Sequence, residues 1–139
     1  MDREPAELLE MGQSFCSLAS YPAIHGSAEH VFQQVHWGLE LVLKAYLHVH
    51  GWSDVRCITE VRHNIAIALL ACERDGLQGI DDASRSLVAA LSPFSTNHRV
   101  AEFVAAGSGG FSPGQAEEAV QVICKAVETA LRTNTTASD

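Results

Sequence analysis

Residues 38–52 read GLELVLKAYLHVHGW, an apolar run broken by Glu40, Lys44 and His48. Glu40 and Lys44 stand one helical turn apart and share a face. The surrounding pattern extends this helix back through Ala28, Val31, Val35, Leu39, Val42, Tyr46 and Val49, which recur at helical spacing. Gln33, Glu40 and Lys44 form the opposite stripe, and Trp37, Leu41 and Leu47 flank it. A helix with one narrow polar stripe and apolar residues round the rest must be covered on more than one side. It is expected at the centre of a bundle or in a dimer interface, starting after Gly26 with Ser27 as N-cap and closing at Gly51.

The neighbouring segments carry helical signals and poor strand signals. A first helix is predicted over residues 4–20, with Pro5 in its first turn and Leu8, Met11, Phe15 and Leu18 on one side. Tyr21-Pro22 ends it, because a residue before proline avoids helical angles. A third helix is predicted to start with Thr59 as cap and Glu60 in the first turn. Its core line is Val61, Ile65, Leu69 and Cys72, a second covered flank is His63, Ile67 and Leu70, and Gly76 ends it. A shorter helix follows Asp81-Asp82 and stops before Pro93, and a helical turn is expected at residues 99–105 ahead of a glycine-rich connector. Ser112-Pro113-Gly114-Gln115 reads as a capping box with proline at the first helical position. Ala116, Val120, Ile123, Val127 and Leu131 then give the inner face of the last helix. The expected fold is all-α: one bundle of about five helices over residues 1–132, followed by a polar, disordered tail at 133–139.

Composition weighs against several function classes. Nine Lys and Arg against 17 Asp and Glu give a net charge of −8 with no basic run, which disfavours unspecific nucleic-acid binding. The longest apolar stretch is interrupted too often for a membrane span. MDREPAELLE is acidic where a secretory signal is basic and then apolar, so a cytoplasmic chain is expected. The four scattered cysteines (Cys16, Cys57, Cys72, Cys124) lack CxxC pairing and read as reduced core residues.

Three pieces, in order, resemble the HEPN family (higher eukaryotes and prokaryotes nucleotide-binding). LELVLKAYL looks like that family's A/E-x-x-LKALL helix, and VRHNIAIALL looks like its H-(N/D)-L-x-x-LL helix start, with His63 and Leu69-Leu70 at the matching places. STNHRVAEFVAAG, a glycine-rich loop and FSPGQAEEAVQVICKAVETAL resemble its arginine segment and E-E-A-rich last helix, with Arg99 where the arginine sits. HRVAEF lacks the Tyr-Pro that often follows this arginine. The resemblance spans residues 27–131 and implies an up-and-down bundle that forms a homodimer. It also implies binding of a nucleotide-like ligand, pairing with a nucleotidyltransferase-type partner, or both. Ribonuclease members carry R-x(4–6)-H, a spacing that Arg56 and His63 share here. The alternative it implies is therefore a metal-independent endoribonuclease of toxin or defence type, with RNA as partner only in that case. A purely structural dimerisation domain is the third option.

The candidate ligand-binding residues are thus Glu40, Lys44, His63 and Arg99, and the candidate catalytic pair is Arg56 and His63. Lys44 offers an ammonium to a phosphate, Arg99 a bidentate guanidinium, and His63 an imidazole whose ordinary pKa of about 6.5 suits proton transfer. Each also has a plain structural reading. Glu40 and Lys44 at this spacing stabilise any helix by a few tenths of a kcal/mol, and a histidine near a helix start often serves only as a hydrogen-bonding group. No phosphate-cradling glycine motif is present. Glu60-x-x-His63 has di-iron spacing but no second copy, so no metal or cofactor is expected.

Overall fold

A computed structural model describes residues 4–19, 28–94 and 99–138. Among them there is no strand, and seven helices take up most of the chain: α1 (Pro5–Ala19), α2 (Ala28–Val49), α3 (Asp54–Arg56), α4 (Ile65–Arg74), α5 (Asp82–Leu91), α6 (Val100–Ala105) and α7 (Pro113–Ser138). The all-α expectation holds, with seven helices among the described residues where about five are predicted. The helical backbone of α7 reaches Ser138, past the residue 132 at which the sequence places the end of the bundle. None of these helices is long and apolar enough to cross a membrane.

The centre is α2, as its all-round apolar character requires. It packs against α1, α4, α6 and α7, and Phe32, Val35, Leu39, Val42, Leu43 and Leu47 are fully buried. Gly51 follows it at φ 92°, the left-handed conformation that closes the helix. The expected cap at Ser27 lies outside the described residues.

Helix α1 lies on α2 at very short range, through Gly12. A Cβ at that position would come within 2.5 Å of Val42 Cγ2 and 2.9 Å of the Val42 backbone nitrogen. Leu8 is buried beside this contact, whereas Met11, expected on the same inner side, is 47% exposed. Met11 thus falls outside the face that α1 packs on α2. Of the other two residues expected there, Phe15 and Leu18, no side-chain placement is described.

The third predicted helix needs correction. Ser53, and not Thr59, starts it: its hydroxyl accepts from the Arg56 amide at 3.1 Å, and Arg56 lies in the first helical turn. Thr59 donates back to the Val55 carbonyl at 3.0 Å, a bond made from inside a helical turn. A π-helical turn over Cys57–Val61 follows, and the chain then reverses at Arg62. Asn64 starts α4 afresh, its side chain accepting from the Ile67 amide at 3.0 Å. Val61, Ile65, Leu69 and Cys72 are buried as predicted, but Ile67 and Leu70 are 44% and 51% exposed, so the second flank is not covered within the chain.

The later boundaries follow their sequence signals. Asp81 caps α5 through the Ser84 amide at 2.9 Å, and a 3₁₀ turn at Ser92–Phe94 carries Pro93. The residues 107–110 expected as a flexible connector form a 3₁₀ turn at Ser108–Gly110. The capping box of α7 is made in both directions: Gln115 N–H donates to Ser112 Oγ (3.1 Å), and Ser112 N–H to Gln115 Oε1 (2.8 Å).

Candidate functional site

Glu40 sits in the middle of α2 and is only 8% exposed. A carboxylate there is costly unless it is paired and hydrogen-bonded. Two donors meet the requirement on one oxygen. Lys44, one turn along α2, donates to Oε1 at 2.8 Å, and His63 Nδ1, from the reversal before α4, lies 2.6 Å from the same atom. His36, one turn back, places Nε2 3.8 Å from Oε2 and 3.4 Å from the His63 carbonyl.

The protonation states follow from this packing. Burial works to raise the Glu40 pKa, but the Lys44 hydrogen bond and charge, with His63 behind them, hold it below the ordinary carboxylate value. Burial pushes His36 down, and the opposing pull of Glu40 does not restore it. His36 is therefore a neutral imidazole at pH 7, and because a carbonyl only accepts, its Nε2 carries the proton toward His63 O. An ionised Glu40 likewise requires the proton of His63 on Nδ1. Nε2 is then the basic nitrogen of a ring that is 64% exposed.

The loop that carries His63 is held from a distance. Ser92, after α5, donates to Asn64 Oδ1 at 2.6 Å and accepts from the Ala66 amide at 3.2 Å. Arg62, immediately before His63, has φ 56° and ψ −119°, a backbone region costly for any residue with a Cβ. Lys44, Ile58, Thr59, Arg62 and His63 together line an open cleft of about 420 Å³. Arg62 is exposed and has no acidic partner among the described residues. One guanidinium, one ammonium and one imidazole thus converge on a small cleft of a chain that is acidic overall.

The sequence candidates divide accordingly. Glu40, Lys44 and His63 come together. Arg56 does not line the cleft; it pairs with Glu60 at 2.7 Å and stacks 3.6 Å over the Trp52 ring. Arg99 stands at the start of α6, pairs with Glu102 at 2.6 Å and faces Phe94 at 5.4 Å. Arg62 and His36 were not singled out from the sequence. The only sequence hint for Arg62 is its place beside His63, because its backbone conformation follows from the π turn and not from any local signal. Among the described residues no group of three His, Cys, Asp or Glu side chains is placed to hold a metal ion. In comparisons with family models, with curated proteins and with solved structures, nothing matches this chain.

Proposed function

We propose that the chain is a HEPN-like homodimeric binding module that takes a phosphate-bearing, nucleotide-like ligand at the cleft of Lys44, Arg62 and His63. The convergence of these three groups, with Arg62 lacking an acidic partner among the described residues, carries the reading. Lys44 and Arg62 contact phosphate oxygens, and Ile58 gives the apolar surface for the rest of the ligand. Pairing with a nucleotidyltransferase-type partner belongs to the same reading through the family resemblance. A thermal-shift series with nucleoside mono-, di- and triphosphates tests it: stabilisation of the wild type, lost in Lys44→Ala and in Arg62→Ala, is expected. A flat response to all of them leaves the structural dimerisation domain, and light scattering that finds a monomer at high concentration removes the dimer.

The Glu40–His63 hydrogen bond favours a second reading, a metal-independent ribonuclease. Glu40 orients the imidazole, and Nε2 accepts the proton of a ribose 2′-hydroxyl as it attacks the adjacent phosphorus. The P–O5′ bond breaks to leave a 2′,3′-cyclic phosphate, the departing 5′-oxygen takes a proton from water, and Arg62 and Lys44 stabilise the charge on the phosphoryl oxygens. Cleavage of RNA in the presence of a chelator, abolished by His63→Ala, is the expected sign. Intact RNA with wild-type protein eliminates this activity and leaves the binding module standing.

A further inference from the structure

A second cleft, of about 610 Å³, opens between the end of α2, the 75–79 turn and α7. Its volume lies within the range of small-molecule sites. Three observations define what it can hold. Tyr46 and His50, one turn apart on α2, stack with ring centroids 4.3 Å apart and 25° between planes, so the exposed His50 ring, backed by the buried Tyr46, is the aromatic surface that α2 presents. Val122, Ala126 and Ala130 present aliphatic surface from α7. Space bounded by rings and short aliphatic side chains favours a flat ligand.

The charges in the cleft limit the ligand further. Lys125 faces it and has no acidic partner among the described residues, although acids outnumber bases almost two to one in this chain. Asp75 lines the same cleft, with Oδ2 taken up by the Trp52 indole N–H at 3.1 Å. Lys125 attracts an anion and Asp75 offsets part of that attraction, and a dianion costs more to desolvate than a monoanion, so a single negative charge is favoured. The chain passes from α4 through Gly76 at φ 106°, where a Cβ would stand 3.7 Å from the Tyr46 hydroxyl. Glycine keeps that part of the floor free of side chain.

We propose that this cleft is a second binding site, distinct from the Lys44–Arg62–His63 cleft, for a planar aromatic monocarboxylate. The carboxylate pairs with Lys125, and the ring system lies between the His50 ring, backed by Tyr46, and the aliphatic surface of α7.

The test is an NMR titration of the full chain with 2-naphthoate, its neutral amide and 2-naphthyl phosphate. Saturable shifts at the Gly76 and Gly79 amides are expected with the carboxylate at about 1 mM. Binding of the amide and of the phosphate ester is expected to be about tenfold weaker or more, because each loses or spoils the charge-assisted pair. Lys125→Gln weakens naphthoate by a similar factor, and Lys125→Arg retains it. Naphthoate shifts that are absent, that centre on Arg62 and His63, or that are unchanged in Lys125→Gln overturn the proposal. Tighter binding of the phosphate ester overturns it as well.

Discussion

His63 Nδ1 lies 2.6 Å from Glu40 Oε1, tying the reversal before α4 to the middle of α2 across 23 positions of sequence. The bond satisfies a buried carboxylate and sets the histidine tautomer at once. Lys44 shares the same oxygen, so the charge of Glu40 is offset locally, and the imidazole ring stays at the rim of the cleft.

Stability is expected to fall on acidification in two stages. His36 has a folded-state pKa below its ordinary value of 6.5, so the unfolded chain binds its proton first and stability drops as pH falls below that value. Glu40 is also depressed, from an ordinary 4.5, so its contribution is present above that value and is lost as pH falls through its folded-state pKa. Thermal melts from pH 7.5 down to about 2.5 check this. His36→Gln flattens the first stage, and Glu40→Gln flattens the second.

Arg62→Gly separates function from stability. Glycine relaxes the backbone at φ 56°, ψ −119°, and a gain of about 1 kcal/mol or more is expected in chemical denaturation. The same variant loses nucleotide-induced stabilisation. Arg62→Ala loses that response without the gain. A variant that becomes more stable and still responds to nucleotides removes Arg62 from the site.

Gly12→Ala is expected to destabilise by about 1–3 kcal/mol, since the added methyl meets the Val42 backbone as well as its side chain. Denaturant melts of Gly12→Ala measure it. A neutral result shows that α1 moves away from α2 at little cost.

Ser92→Ala leaves the Ala66 amide without its acceptor and removes one of the two donors to Asn64 Oδ1, the Ile67 amide being the other. A loss of about 1–3 kcal/mol is expected, with faster amide exchange at the start of α4. Weaker nucleotide binding accompanies it if the reversal positions His63, so a binding curve on the folded variant tests the link between the corner and the cleft.

The helix ends that were legible are those whose signals are local. Ser112 and Gln115 cap each other within one turn, Asp81 reaches the amide three residues on, and Gly51 adopts an angle that glycine takes without cost. Thr59 misled because Ser, Thr and Asn compete as caps. The choice of Ser53 and Asn64 depends on Val61 and Ile65 both reaching the core, which requires a π turn and a strained reversal between them. Arg56 and His63 have a suggestive spacing, yet Trp52 and Glu60 engage the first and Glu40 the second.

Periodicity and turn chemistry act over a few residues, which is why the helical class, the central position of α2 and the polar stripe at Glu40 and Lys44 are legible in the chain before it folds. What that stripe does depends on contacts made between distant segments. A buried carboxylate must find donors wherever packing supplies them, and the donor here, His63, arrives from the reversal before α4, bringing Arg62 into the same cleft.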